Sequence, residues 1–267
     1  MVPDDGPSGG SICGAFLMER PVSAKELVAT DSALGVDLLQ RYSCPEQVVY
    51  QAAKTDYSEV PITDRDISNV NFGQFIVEEL LGGNRGHWGP LEHPHMTILV
   101  KGFDHSVMVQ ARTHRVGVSF DVQSQRYTGK RVVKVASGEL DVSEVFYFRR
   151  PGFYLDRRGR KYWYSQVEMF KDMEATVDAC QKYRSKLELG FAEEHARMQL
   201  PQNIRQNFVV TFNLRSVLHF LDLRSKKDAQ VEIQAMCEAM APYIQDWAPN
   251  VWEYYSAKRL YKAQLAP

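Results

Sequence analysis

The segment Arg112–Gly129, RTHRVGVSFDVQSQRYTG, is the part of the chain that most restricts how it can fold. Three arginines, one histidine and two serines fall between Arg112 and Arg126, and a glutamine stands on each side of Ser124. A core segment would not carry these charges, and a solvated charge run would mix in Lys and Glu. Guanidinium forks and hydroxyls match the oxygen geometry of phosphate. We therefore expect a binding site for anionic oxygen, in which His114 stays neutral between arginines.

The net charge of the whole chain indicates that any anion site is local. The 267 residues include 32 Lys plus Arg against 33 Asp plus Glu, a formal net charge of −1 at pH 7. Such a chain has no overall field that would attract a nucleic-acid polymer or a membrane surface. A small phosphorylated ligand is therefore the expected partner.

Cysteine usage and the N-terminus indicate a reducing compartment. The four cysteines are scattered without CxxC spacing, which argues against a disulfide framework or a zinc site. Residues 1–20 begin MVPDDGPSGGS and lack a basic start and a long apolar run, so we expect a disordered tail and not a signal peptide. No apolar run approaches the roughly 18 residues that span a bilayer. These features predict a cytoplasmic protein without a membrane partner.

Hydrophobic periodicity predicts an α+β fold with a mixed or antiparallel sheet core and long flanking helices. No repeat or linker is visible inside residues 20–260, so residues 21–267 are expected to form a single domain. Buried strands are predicted at Met96–Lys101 and Phe208–Phe212, and strand-like VVKV and VFYF lie within Val132–Arg150.

Helical patterns surround these strands, and the basic run Arg157–Lys161 is expected in a hairpin turn or loop. The first helical pattern is interrupted at Thr30-Asp31-Ser32, where a new helix could be capped. The segment Val107–Gln110 fits either a helix or a strand. The helical patterns cover Val22–Tyr42, Pro45–Glu59, Asn71–Leu81, Tyr162–Leu189, Phe191–Arg197, Asn213–Arg224, Asp228–Ile244 and Trp247–Tyr261.

Common nucleotide-loop and metal motifs are missing from the sequence. It contains no P-loop and no GxGxxG, and its one GxSxG match lies at Gly6–Gly10 in the expected tail. His87, His93 and His95 lie close together, but Trp88-Gly89-Pro90 intervenes and no set of carboxylates completes the ligands. The sequence therefore predicts no metal site.

The predicted helix Asn213–Arg224, NLRSVLHFLDLR, combines a regular apolar stripe with polar residues at fixed faces. At roughly 100° per residue, Asn213 and Arg224 share one face, whereas Arg215 and His219 share another. Taken alone, Arg224 could satisfy the helix dipole and His219 could be a core histidine. The apolar positions, at i, i+3, i+4 and i+7, are Leu214, Val217, Leu218 and Leu221.

Four separated pieces of the chain resemble the flavin-dependent thymidylate synthase (ThyX) family. His87…Pro90-Leu91-Glu92-His93 is similar to the family's H-x-x-P-x-E-H segment, and Arg112–Tyr127 is similar to its R-H-R signature followed by S-x-R-Y. Arg197, ahead of Pro201, matches a family arginine. The fourth piece, NLRSVLHFLDLR with Ala229-Gln230-x-Glu232, is the most specific because twelve residues keep register without a gap. The resemblance spans roughly residues 45–255.

The signature piece departs from the family pattern in two ways. It reads Arg112-Thr113-His114-Arg115 in place of an unbroken R-H-R, and Ser124 follows one residue later than usual. Either Thr113 is inserted and Arg112 keeps the role of the first arginine, or Thr113 takes that position and Arg112 is extra. In addition, Asp121-Val122 stands where the family has Asn-Glu, so one ligand contact lacks its glutamate.

The resemblance implies a reaction and a set of binding residues. The reaction is reductive methylation of dUMP to dTMP, with methylenetetrahydrofolate as carbon donor and FAD reduced by NADPH as hydride source. The resemblance also implies a homotetramer that holds each FAD and dUMP between protomers. The residues implied for FAD are His87, Arg112, Thr113, His114, Arg115, Asn213, Arg215 and His219. The residues implied for dUMP are Gln110, Gln123, Ser124, Arg126, Arg197 and Arg224, with Arg224 as the catalytic residue.

Two other functions remain compatible with the residues. A non-catalytic nucleotide- or RNA-binding module would use the basic signature and nearby aromatic residues, although the chain has no basic stripe. A flavoprotein relative that lost the synthase step would account for the altered signature. Flavin binding separates the first alternative from the synthase, and dTMP formation separates the second.

Overall fold

An antiparallel sheet forms the centre of the fold, and the computed structural model describes residues 20–82 and 86–262. The strands are β1 Gly35–Arg41, β2 His95–Asp104, β3 Val118–Val122, β4 Gly152–Leu155, β5 Lys161–Tyr164 and β6 Arg205–Asn213. Four of them pair in the order β1-β2-β6-β3, and every neighbouring pair is antiparallel. The remaining two, β4 and β5, form a separate hairpin whose turn carries the basic run, as predicted. The predicted tail 1–20 lies outside the described residues except for Arg20.

Helices cover the sheet and extend beyond it. The α-helices are α1 Ala24–Thr30, α2 Pro45–Thr55, α3 Phe72–Phe75, α4 His105–Ala111, α5 Lys130–Ala136, α6 Val142–Val145, α7 Gln166–Glu188, α8 Glu193–Ala196, α9 Leu214–Arg224, α10 Val231–Trp247 and α11 Pro249–Lys258. A π-helical stretch, Ile76–Leu81, continues α3, and short 3₁₀ turns lie at Ile62–Asp64, Gly89–Glu92 and Arg197–Gln199. In the described part of the chain, no helix combines the length and apolar character needed to cross a bilayer.

The main hydrophobic core, called the sheet core below, lies between one face of the sheet and the long helices. Alternate residues of β2 and β6, such as Ile98 and Val210, are fully buried against α9 and α10. The predicted stripe of α9 is confirmed, because its four apolar residues are at most 1% exposed. Burying one such side chain stabilises the fold by about 1.5–3 kcal/mol.

A second core packs α5, α6 and α7 around Phe146 and Tyr183, both fully buried. Arg205, which is 8% exposed, joins this second core to the sheet core. Its guanidinium donates to the Gly102 carbonyl at 2.9 Å, the Ser143 carbonyl at 3.1 Å and the Asp31 carboxylate at 2.8 Å. A charge buried this deeply is tolerated because it is paired with Asp31 and each of its three nitrogens donates a hydrogen bond.

Two predicted secondary structures are wrong, for the same physical reason. Residues 35–41, predicted as helix, form the edge strand β1 because β2 offers them an antiparallel partner on both sides of an irregularity at Leu39. The stretch VVKV, predicted as a strand, lies in α5, where Val132 and Val135 are three residues apart and both face the second core. Tertiary contacts override local propensity in both places.

The stretch VFYF is also not a strand, because Val145 ends α6 and Phe146 makes only an isolated bridge to Ile204. The longest helix is α7, as predicted, but its first predicted residues, 162–164, belong to β5. The fold class nevertheless agrees with the prediction: the structure is α+β with an antiparallel sheet and long helices.

Candidate active site

The arginine-rich segment begins where α4 ends. Asp104 caps this helix by accepting a hydrogen bond from the Val107 amide at 3.1 Å. After Ala111 the chain turns sharply, and the His114 amide donates to the Ala111 carbonyl at 3.1 Å. The first half of the segment therefore curls under the helix end, and the second half leaves as β3.

Arg224, the last residue of α9, binds this curled half through three hydrogen bonds. Its Nε donates to Nε2 of His114 at 3.0 Å. Its Nη2 donates to the Thr113 hydroxyl at 2.7 Å and to the Gln110 carbonyl at 3.1 Å. Among the described residues, Nη1 has no such partner and remains the edge that could meet a ligand. We call Gln110, Thr113, His114 and Arg224 the Arg224 cluster.

His114 is held neutral within this cluster. Burial, the Arg224 charge and His219 lower the pKa of His114 to about 4. Because its Nε2 accepts from a guanidinium, the neutral ring must carry its proton on Nδ1. The ring also packs against Phe220 and His219, with centroid distances of 4.8 and 5.5 Å. These contacts fit the sequence-based expectation of a neutral histidine between arginines.

The lowered pKa of His114 predicts an acid-sensitive fold. The unfolded chain takes up a proton near pH 6.5, whereas the folded ring does so only near pH 4. The stabilisation is therefore complete above pH 6.5 and is lost as pH falls toward 4. We expect a loss of about 2 kcal/mol, reduced from the full effect of the shift by solvent screening. Denaturant unfolding at pH 7 and at pH 4.5 measures it.

The control for this prediction is His114→Gln, which keeps a hydrogen-bond acceptor but cannot take up a proton. The variant should lose most of the difference in unfolding free energy between the two pH values. An unchanged difference would assign the acid sensitivity to other groups.

The first half of α9 and its cap residue supply three further residues expected near FAD. Asn213 is 3% exposed and caps the helix by accepting from the Ser216 amide at 2.7 Å. Arg215 extends sideways and donates to the Glu92 carboxylate at 2.6 Å. His219 lies one turn later, beside His114. Three of the four sequence pieces that carried the resemblance therefore meet at this helix.

Gly117 fits the signature loop against the same helix start. Its φ of +65° lies in the left-handed region that favours glycine. A Cβ at this position would come within 2.2 Å of the Asn213 side-chain nitrogen and 2.3 Å of the Ser216 hydroxyl. The Gly117 carbonyl also accepts from the Asn213 amide at 3.0 Å. The loop can pass this close to the cap only without a side chain.

His87 and Arg115 take no part in the hydrogen bonds that join the Arg224 cluster. Nε2 of His87 is 3.4 Å from the Asp56 carboxylate, and its ring meets Tyr57 edge-on at 6.4 Å. These neighbours belong to the segment that follows α2. Arg115 is exposed. Both side chains are thus accessible at the surface of one chain.

The second half of the signature opens onto a separate cleft of about 600 Å³, called the Ser124 cleft below. Arg112, Gln123, Ser124 and Arg197 all line it. Two guanidinium groups and a hydroxyl thus face one cavity, an arrangement suited to a phosphate or another oxyanion. Arg112 therefore lies on this cleft, and it is Thr113 that joins the Arg224 cluster.

Arg126 and Gln110, also expected near dUMP, have other partners in a single chain. Nε of Arg126 is 3.6 Å from the Glu194 carboxylate, and both side chains are more than 40% exposed. Such a pair is weak, so Arg126 is free to turn toward an anion. The Gln110 side chain donates to the Gln230 side-chain oxygen.

Sequence reasoning missed Gln206 and His105, which also line the Ser124 cleft. Gln206 occupies an inward position of β6, in the alternation that continues with Phe208, Val210 and Phe212. The sequence signal for Gln206 is a polar residue at an inward position of β6, where the other inward residues are apolar. His105 gave no signal, because its position depends on where α4 begins.

Metal chemistry finds no support in the described residues. Within 20–82 and 86–262, no group of three or more His, Cys, Asp or Glu side chains could hold a metal ion. Two of the cysteines, Cys180 and Cys237, are buried, and burial raises the pKa of each thiol to about 12. Neither is suited to act as a nucleophile at neutral pH.

A cleft suited to an oxyanion lies beside Arg224 at the end of α9, in an α+β fold with an antiparallel sheet. This arrangement defines a protein that binds small phosphorylated ligands. Residues 37–250 match the family model described as "Thymidylate synthase complementing protein", so the chain belongs to that family and the expected membership is confirmed. A flavin-dependent thymidylate synthase of Haloarcula marismortui is 35% identical, over 88% of this chain and 100% of the relative. One of Halobacterium salinarum is 34% identical, over 87% and 99%.

Solved structures share the fold at lower identity. Thymidylate synthase X of Helicobacter pylori, determined with FAD and dUMP, superposes with a TM-score of 0.63 at 19% identity and covers 83% of this chain and 98% of that one. The UMP/dUMP methylase PolB of Streptomyces cacaoi, bound with 5-Br UMP, gives a TM-score of 0.65 at 22% identity, over 88% and 96%. The predicted ThyX-like fold is thereby confirmed.

Proposed function

We propose that this protein is a flavin-dependent thymidylate synthase that methylates dUMP to dTMP, with methylenetetrahydrofolate as carbon donor and NADPH as reductant of FAD. The observation that carries the proposal is the Ser124 cleft, where Arg112, Ser124 and Arg197 converge next to the Arg224 cluster. A phosphate in this cleft would receive charge-assisted hydrogen bonds from a hydroxyl and from guanidinium forks. Arg126 would turn from Glu194 to join them.

The residues around α9 fit a flavin. His114 and His219 offer ring nitrogens, and Arg115 and Arg215 offer exposed or half-buried cations for phosphates. Asn213, already used as a helix cap, would contribute through its amide group, and His87 would approach from the segment after α2. When bound, FAD supplies the hydride chemistry that no side chain can perform.

The chain's own contribution to the reaction is electrostatic. A fixed guanidinium beside the pyrimidine oxygen and N3 favours the anionic, enolate-like form of uracil, in which carbon 5 is electron-rich. Arg224 is suited to this because three hydrogen bonds already fix its orientation. The buried, protonated thiols of Cys180 and Cys237 agree with a mechanism that needs no cysteine nucleophile.

The positions of the two arginines support assembly into a homotetramer. Arg224 is not among the residues that line the Ser124 cleft in one chain, whereas Arg197 is. Both can contact one dUMP, Arg197 at its phosphate and Arg224 at its uracil, if a second copy of the chain supplies one of them. The family resemblance sets the number of copies at four, so sedimentation should give a tetramer, and a monomeric active enzyme would contradict this part of the proposal. The cytoplasm is its proposed compartment.

Flavin binding is the first test of the proposed function. We expect the purified protein to be yellow, or to become so with added FAD, and to oxidise NADPH in a dUMP-dependent manner. Product analysis should then find dTMP. A protein that cannot be reconstituted with FAD would favour the nucleotide-binding module, and flavin without dTMP would favour a relative that lost the synthase step.

A further inference from the structure

Gln206 presents a buried polar atom for which the fold provides no partner. The side chain is 2% exposed, yet its Oε1 accepts no hydrogen bond from any residue that the structure describes. The next inward residues of β6, Phe208 and Val210, are apolar and fully packed. Buried carbonyl oxygens are normally paired, so an unpaired one at a cleft points to a ligand donor.

Gln206 and Ser124 belong to the walls of one cleft. Val122 pairs with Phe208 at the end of β3, and the Gln123 amide donates to the Asn207 carbonyl at 2.9 Å. The chain then leaves the strand, and Ser124 and Gln206 both line the Ser124 cleft. The unpaired oxygen therefore belongs to the same cavity as the Ser124 hydroxyl.

A second unpaired polar atom in the same cleft supports a polar ligand, to which it can donate or from which it can accept according to the tautomer of its ring. Nδ1 of His105 is buried and lacks a hydrogen bond to the described residues. The cations Arg112 and Arg197 would hold the phosphate, but an unprotonated phosphate cannot satisfy a carbonyl oxygen. The ligand must therefore bring a donor near its phosphate. In a nucleoside 5′-monophosphate, the nearest such donor is the 3′-hydroxyl of the sugar.

We propose that the Gln206 side-chain oxygen accepts a hydrogen bond from the 3′-hydroxyl of the nucleotide and thereby selects for nucleotides that carry it. This inference rests on the proposed dUMP site and assigns Gln206 as a residue that recognises the sugar of the nucleotide. A ligand without that hydroxyl binds less tightly, because it leaves the buried Oε1 without a hydrogen bond, as in the free protein.

Binding of two nucleotides to the FAD-loaded protein tests the proposal. Wild-type protein should bind dUMP about 10- to 30-fold more tightly than 2′,3′-dideoxyuridine 5′-monophosphate in calorimetric titrations. The variant Gln206→Leu, similar in size but without the acceptor, should bind both nucleotides within about 2-fold of each other. Gln181→Leu is the matched control, since this exposed glutamine of α7 does not line the cleft, and it should keep the wild-type preference.

Equal binding of the two nucleotides by wild-type protein would overturn the inference without any variant. A preference retained in Gln206→Leu would overturn it as well. In both cases dUMP would still bind and be methylated, so the proposed function would stand. A protein that binds neither nucleotide would overturn the proposed function and this inference together.

Discussion

Replacing Arg224 by alanine is expected to lower the rate of dTMP formation by about 100- to 1,000-fold while the protein retains most of its FAD. The reason is that a preorganised cation at the developing negative charge of uracil typically contributes about 3–4 kcal/mol to lowering the barrier. His114, Arg115, Arg215 and His219 remain to hold the flavin. Single-turnover dTMP formation and the flavin absorbance of the purified variant measure the two quantities.

Two controls separate this role from a structural one. Arg224→Lys keeps the charge but cannot form the fork to Thr113, His114 and the Gln110 carbonyl, so it should keep FAD and recover only part of the rate. Arg184→Ala removes an exposed arginine of α7 that pairs only with Glu188, and it should be fully active. Turnover like that of the wild type in Arg224→Ala would show that the residue is misassigned.

Replacing Gly117 by alanine is expected to destabilise the fold by about 3 kcal/mol. The new methyl group would overlap Asn213 and Ser216, which would open the N-terminal cap of α9, and φ of +65° adds backbone strain. Denaturant midpoints measure the loss. The same variant should also bind FAD more weakly, because the loop carries His114 and Arg115.

Gly138→Ala is the matched control for this prediction. Gly138 has a similar φ, +77°, but an added Cβ would meet no atom within 4 Å. It should therefore show only the backbone penalty, about 1 kcal/mol. Equal destabilisation by both substitutions would mean that the contact between the loop and α9 contributes nothing.

Regular periodicity made part of the fold predictable from the sequence. The apolar stripe of α9 and the buried strand β6 were both recognised, because each pattern repeats over several turns or pairs. β1 and α5 were not, since their local patterns fit two structures and distant partners decide between them. β3 lies inside the signature and was not predicted, because its alternation of Val118, Phe120 and Val122 with polar residues covers only five positions.

The sequence predicts which residues belong to the site better than it predicts how those residues contact one another. Sequence patterns selected Arg224, His114 and Ser124, but not the bond from Arg224 to His114, which joins residues 110 positions apart. They also left open whether Arg112 or Thr113 accompanies His114. The turn after Ala111 determines this in the fold, since it directs Arg112 to the Ser124 cleft and Thr113 to Arg224. Turn geometry of this kind depends on what the neighbouring helix allows.

The walls of the Ser124 cleft come from two separately packed parts of the molecule. Arg197 follows Ala196, which is buried in the second core, whereas Val122 packs against the sheet core. A nucleotide that contacts both walls adds its binding free energy only while both parts are folded, so it links their local unfolding equilibria. Amide exchange in α5 and α7 should therefore slow on nucleotide binding, although neither helix lines the cleft.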